Sequence, residues 1–264
     1  MAQASPAWRD APAAGAHLGS ALAWRTGKRY SSAMTGATKT TRIDPAGAEA
    51  GDTQPPVFDA AFRATLEQLF RWRRDVRHFR TDAIPETEID ALIRIAALAP
   101  SVGHSQPWRF VKVVSAERRA AVRDNFERAN ADALADYADE RARLYASLKL
   151  AGLDQAPVQL AVFLDPETDL GEGLGAKTMP ETLAYSVVGA VNTLWLAARA
   201  RGIGMGWVSI LDPDAVTRDL DLPATWRLIG YLCIGYPAEE SELPELHRKG
   251  WQERVDVAPF IFER

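Results

Sequence analysis

Between Arg71 and Phe79 the chain reads Arg71-Trp72-Arg73-Arg74-Asp75-Val76-Arg77-His78-Phe79, four arginines around one acid. The whole chain carries a formal charge of −4 at pH 7, so this cationic density is local. Guanidinium groups are planar forked donors that match phosphate oxygens two at a time, and a short cluster suits one small phosphorylated ligand better than a polymer. A solvated helix end, with Glu67 pairing at i,i+4, is the plainer account of such a cluster. Asp75 argues against it, because an acid between Arg74 and Arg77 weakens a simple phosphate clamp and must have a second task. Arginine neighbours should hold its pKa down, which makes it a fixed acceptor and a poor store of protons.

Two further stretches could line a site. Pro100-Ser101-Val102-Gly103-His104-Ser105-Gln106-Pro107-Trp108 is a loop of small and polar residues bounded by prolines, of the kind that lets backbone approach a ligand closely. Ser209 sits in the apolar run Gly204-Met205-Gly206-Trp207-Val208-Ser209-Ile210, where the common fate of a hydroxyl is a bond to its own strand neighbours. A third stretch, Glu167 to Pro180, carries Gly171, Gly173 and Gly175, but its spacing fits neither a phosphate loop nor a dinucleotide fingerprint. It reads as a mobile connection. The four histidines His17, His78, His104 and His247 show no metal-ligand spacing. The single cysteine, Cys233, lies in an apolar run, which excludes a disulfide framework and makes it a core residue.

The elements that must position these groups follow from periodicity. Phe58, Phe62, Leu66, Leu69 and Phe70 keep helical spacing, so a helix over 58–72 delivers the arginine stretch at its C-terminal end, after which the chain turns extended. Asp82 and Pro85 open a second helix that stops at Ala99-Pro100. Arg109–Val114 reads as a strand, 116–150 as a long charge-laced helical region, and Val158–Leu164 as a nearly all-apolar central strand. Glu181–Ala200 is a strong helix closed by Gly202. Gly204–Ile210 is a third strand, Pro213–Leu220 a short helix, and Leu228–Tyr236 a fourth strand. Leu246 to Arg254 forms a second basic cluster, and the chain ends in Phe260-Ile261-Phe262, an apolar end of the kind that docks on a second subunit.

Composition bounds the function. With 264 residues, 47% hydrophobic and 25% charged, the chain has material for one sizeable core. A pI near 5.7 and the lack of a long basic block speak against nucleic acid or an anionic membrane as partner, and no apolar run approaches the roughly 18 residues of a membrane span. Cytoplasm is the default expectation. Residues 1–55 are rich in Ala, Gly, Ser and Thr without apolar periodicity and are expected to be a disordered extension before a folded domain over 56–264. Asp10, Asp44, Glu49 and Asp52 count against a transit peptide, no secretory core is present, and Met34 offers an alternative start.

Taken in order, a helix, Arg-Arg-x-x-Arg-x-Phe, an Ala-Pro-Ser loop ending in Gln-Pro-Trp before a strand, and a late Gly-x-Gly-Trp resemble the FMN-dependent nitroreductase family over about residues 58–255. Finer details resemble one flavin-consuming branch of it: Arg73-Arg74-Asp75-Val76-Arg77, Ala99–Gly103, Ser147–Leu150, Leu194–Arg199 and Gly206–Ile210. A typical nitroreductase has serine or threonine where this chain has Asp75. The resemblance implies an α+β sandwich with a mainly antiparallel central sheet flanked by helices, a homodimer, and FMN at the subunit interface. It implies O2-dependent fragmentation of reduced FMN to 5,6-dimethylbenzimidazole, the lower ligand of cobalamin, and erythrose 4-phosphate, with a separate reductase as a possible source of reduced FMN. Arg73, Arg74, Val76 and Arg77 would hold the phosphate and ribityl end, with Lys149 and Arg254 as second contributors. Ser101, Gly103 and Gln106 would face the isoalloxazine ring, as would the Met179–Thr182 linker. Asp75 and Ser209 would be the catalytic pair, Asp75 orienting ribityl hydroxyls or accepting a proton and Ser209 donating to the flavin edge. The alternatives are an NAD(P)H-dependent nitroreductase or flavin reductase, and a flavin-binding module without catalysis.

Overall fold

A computed structural model describes residues 54–135 and 152–264. The expectations for 1–53, for Lys149 and for the later part of the 116–150 helical region lie outside the described residues. Pro56–Arg264 forms one compact unit.

Helix α1, Ala60–Trp72, starts where the Asp59 carboxylate accepts from the Phe62 amide at 2.7 Å and stops at Arg73, whose backbone turns extended. Helix α2, Glu86–Ala96, follows Pro85 and buries Ile89, Leu92 and Ala96. Strand β1, Trp108–Lys112, leads into α3, Ala116–Ala135. A short α4, Gly152–Gln155, precedes β2, Val158–Leu164, which lies inside the sheet between β1 and a later strand. Helix α5, Thr182–Arg199, is followed by β3, Gly204–Val208, then α6, Pro213–Asp219, β4, Arg227–Gly235, and α7, Glu245–Arg248. Asp212 caps α6 by accepting from the amides of Asp214 and Ala215.

The four strands pair antiparallel in the order β1-β2-β4-β3, with a bulge in β2 between Val162 and Phe163. Alternation along the strands feeds two cores. Leu160, Val162, Leu164, Leu232 and Ile234 face α2 and α5 through Leu92, Ala96, Val187, Val191 and Leu194. On the other side Ala161, Phe163, Tyr231 and Cys233 meet Val113, Val122, Val216 and Leu220. A sheet covered by helices on both faces is the α+β sandwich expected. Cys233 is core as expected, and burial pushes its thiol up to about 12. The polar residue of β2, Gln159, is satisfied by accepting from the Tyr231 hydroxyl at 2.5 Å and donating to the Leu153 carbonyl at 2.8 Å.

Three details depart from the expectations. β3 ends at Val208, so Ser209 lies just past the strand and is exposed. The 167–180 segment is not a free connection: Thr168 donates to the Ser105 carbonyl at 3.1 Å, and a Cβ on Gly171 would lie 2.2 Å from the Gly103 carbonyl oxygen. α1 buries none of its residues within the protomer, although Phe62 and Phe70 are about half exposed on it, at 46% and 51%. Among the described residues no helix is long and apolar enough to cross a membrane, and no group of three His, Cys, Asp or Glu side chains could hold a metal ion.

Candidate active site

After α1 the arginine stretch lies down on β3. The Val76 amide donates to the Met205 carbonyl at 3.0 Å, and Asp75 bridges Met205 in parallel. This approach needs glycine on the strand. A Cβ on Gly206 would lie 2.2 Å from the Val76 carbonyl oxygen, and one on Gly204 would lie 2.7 Å from Val76 Cγ2. The Gly-x-Gly-Trp motif therefore exists so that the arginine stretch can rest against the strand.

Asp75 is held from two sides. Its Oδ1 accepts from the Trp207 amide at 3.0 Å, and its Oδ2 lies 3.5 Å from Arg77 Nε, on an arginine side chain only 12% exposed. Contrary to the expectation of a depressed value, burial pushes the Asp75 carboxyl above the usual carboxylate range; the Trp207 amide, Arg77 and Arg73 pull it back without cancelling that effect. A carboxylate so placed is a better proton acceptor than an ordinary aspartate.

Arg73 and Arg74 have no carboxylate within ion-pair distance among the described residues. Arg74 Nε donates to the Glu242 carbonyl at 2.6 Å, and its guanidinium also donates to the Arg73 carbonyl at 2.5 Å. The Arg73 guanidinium stands over the Trp195 ring, 4.8 Å from its centroid. Both guanidinium pKa values are lowered, first by burial; Asp75 pulls Arg73 back up and Glu242 does so for Arg74, while Arg254 lowers both and Arg73 lowers Arg74. Half-buried cations that repel one another, with no carboxylate in ion-pair contact among the described residues, can take an anion.

Two of the cavities that border Arg74 carry three arginines each. One, of about 160 Å³, is lined by Arg74, Asp75, Val76, Arg77 and His78, facing Glu239, Arg248 and Lys249. The other, of about 430 Å³, is lined by Phe70, Arg71, Arg74, Leu243 and Arg254. The structure thus brings Arg74, Asp75, Val76 and Arg77 together, with Arg73 beside them and Arg254 next to Arg74. It adds Arg248 and Lys249, members of the C-terminal basic cluster from which the sequence reading had singled out Arg254.

The proline-bounded loop lies elsewhere. Its Val102–His104 turn holds Gly103 and His104 at φ of 55° and 56°, and Gln106 follows at 43°. The Ser101 hydroxyl accepts from the Gln106 amide at 3.1 Å, and the Ser186 hydroxyl accepts from the Val102 amide at 3.0 Å. The buried Ser105 hydroxyl has no partner among the described residues. With Thr168, Leu174 and Lys177 this loop borders a cavity of about 390 Å³. Ser186 ties the loop near the start of α5, whereas Trp195 ties Arg74 near its end, donating from its indole to the Arg74 carbonyl at 3.1 Å. Nine residues at ~1.5 Å each put these anchors roughly 13 Å apart along the helix. Of this loop it is Val102 and Ser105 that line the cavity of about 390 Å³, not Ser101, Gly103 or Gln106. Ser209 follows Trp207 by two residues, and its exposed hydroxyl bonds to no described residue. Of the functional contacts, those of Trp195 and Trp207 were missed; the sequence placed Trp195 facing inward, with nothing to show which residue it would meet.

Comparison with known proteins agrees with this architecture. Over 199 residues the chain is 60% identical to the 5,6-dimethylbenzimidazole synthase of Rhodospirillum rubrum, covering 75% of this chain and 94% of that protein. It is 50% identical over 198 residues to the enzyme of that name from Rhodobacter capsulatus, covering 75% and 96%. Oxidised iodotyrosine deiodinase bound to FMN and 3-iodo-L-tyrosine superimposes with a TM-score of 0.57 at 25% identity, covering 67% of this chain and 91% of that one. The nitroreductase family pattern matches residues 70–236, and with these relatives it shows that the chain belongs to the nitroreductase family.

Proposed function

We propose that this protein is a 5,6-dimethylbenzimidazole synthase that fragments reduced FMN with O2, supplying the lower ligand of cobalamin. The observation that carries this is Asp75: a half-buried carboxylate of raised pKa, set among arginines and fixed by the Trp207 amide. Passing electrons to a second substrate requires no such group, whereas cleaving a polyol chain requires a proton acceptor beside it. The naming of the two bacterial relatives supports the same reading.

The residues present fit FMN. Arg73 and the part of the Arg74 fork not given to carbonyls supply donors for the phosphate, with Arg77 toward the ribityl end and Arg254 or Lys249 able to add charge from the C-terminal segment. Bound there, reduced FMN supplies the electrons for O2 and is itself the material of both products. Asp75 accepts a hydrogen bond from a ribityl hydroxyl and takes its proton as the chain breaks. Ser209, exposed beyond the end of β3, donates a hydrogen bond at the flavin edge. The Ser101–Gln106 loop meets the ring from a second protomer, because within one protomer it sits at the other end of α5 from the arginines. A homodimer also covers the unburied face of α1.

The test is the product mixture after adding chemically reduced FMN to the protein in air. Wild type releases 5,6-dimethylbenzimidazole; Asp75→Ser binds FMN but yields oxidised FMN and peroxide. If wild type only reoxidises the flavin, while NADPH and a nitroaromatic are turned over rapidly, the protein is a nitroreductase instead.

A further inference from the structure

Trp195 touches the arginine stretch twice, once through its N–H to the Arg74 carbonyl and once through its ring under the Arg73 guanidinium. The Trp207 ring packs beside it at 6.3 Å, tilted by 46°, while the Trp207 amide holds Asp75. One helical turn on, Arg199 donates to both oxygens of Glu240 at 2.7 and 2.6 Å, and its guanidinium lies 5.8 Å from the Trp72 ring. One face of the last turns of α5 is thus a pedestal under residues 72–74.

The distinction that matters is between the face and the edge of a guanidinium. A carboxylate partner would occupy the N–H edge that an incoming phosphate needs. An aromatic ring under the guanidinium carbon takes no N–H, and the Arg73 guanidinium makes no hydrogen bond to a described residue. We propose that Trp195 is a positioning residue that presents Arg73 edge-on to the phosphate of the flavin ligand. This rests on the anion-site reading of the arginine stretch given above, and adds to it the group that sets the aim.

The experiment measures FMN and riboflavin dissociation constants by flavin fluorescence in the full-length protein, for wild type, Trp195→Leu and Trp195→Phe. Trp195→Leu is expected to lose about tenfold in FMN affinity, the scale of a partly desolvated cation–π contact, and to leave riboflavin affinity unchanged. Trp195→Phe keeps a ring and loses roughly two- to threefold, again for FMN only; it carries the test if the leucine variant does not fold. In an Arg73→Gln background the Trp195 substitutions should cost less FMN affinity than they do in wild type, what remains being the lost indole hydrogen bond to the Arg74 carbonyl. Equal losses for FMN and riboflavin, or an undiminished loss in the Arg73→Gln background, would overturn the inference and make Trp195 a packing residue. Equal wild-type affinities for the two flavins would remove the anion site itself, and the role of Trp195 with it.

Discussion

Gly206→Ala is the sharpest test of how the site is built. The added Cβ would stand 2.2 Å from the Val76 carbonyl oxygen, which is backbone and cannot swing aside as a side chain can. Reaching ordinary contact requires the 75–77 segment to lift by about 1 Å, since unstrained contacts of this kind begin near ~3.4 Å. Two hydrogen bonds span that seam, Val76 N–H to the Met205 carbonyl and Trp207 N–H to Asp75, each 3.0 Å long. Overpacking costs about 1–3 kcal/mol, and stretching a neutral and a charge-assisted bond adds about 1–3 more. A total of about 4 kcal/mol is a large part of the ~5–15 kcal/mol that holds a domain folded. For a unit of this size it lowers the melting temperature by roughly 8–16 °C. Thermal unfolding of the flavin-free protein checks this, and FMN titration of the folded variant should show weaker binding because Asp75 loses its anchor. An unchanged melting temperature together with unchanged FMN affinity would refute the close seating of the arginine stretch on β3.

Asp75→Asn keeps an oxygen for the Trp207 amide but removes the half-buried charge. Because the folded-state pKa is raised, the wild-type carboxyl favours folding most below its unfolded value and loses that contribution as pH rises through the folded value. The Asn variant should therefore gain melting temperature over wild type from about pH 4 upward, and parallel pH profiles would show that Asp75 is not desolvated. Phe62→Asp or Phe70→Asp should convert a dimer to monomers in sedimentation and lose flavin binding, since both rings stand about half exposed on a helix with nothing buried. A chain beginning at Thr53 should keep its dimer and its FMN affinity; loss of either on this truncation would give residues 1–52 a structural role.

Much of the scaffold was legible because its signals are local. Val158–Leu164 is apolar throughout and became the inner strand β2, and the helices 58–72, 85–99 and 181–200 shifted by only a few residues at their ends. Arg73 to Arg77 announced themselves by charge. What could not be read depends on packing between distant residues. The pKa of Asp75 is raised first by burial, which a count of its arginine neighbours does not register, so the sequence pointed the other way. Ser209 was placed inside a strand that stops one residue earlier. Gly206 was visible as part of a motif, yet its reason, the Val76 carbonyl, lies in another part of the chain.

The sheet has two outer strands, and they are shielded from stray pairing in different ways. β1 carries Lys112, tied to Asp90 at 2.5 Å and Glu86 at 2.9 Å, a charge that discourages another strand from adding there. β3 is an apolar run, and what blocks its open side is the Asp75–Val76 segment itself. The peptide proposed to carry the chemistry therefore also keeps one chain from zipping onto the next. Substitutions that pry it loose should yield protein lost to inclusion bodies before they yield soluble protein lacking activity, so selection for solubility alone would preserve the seating of Asp75.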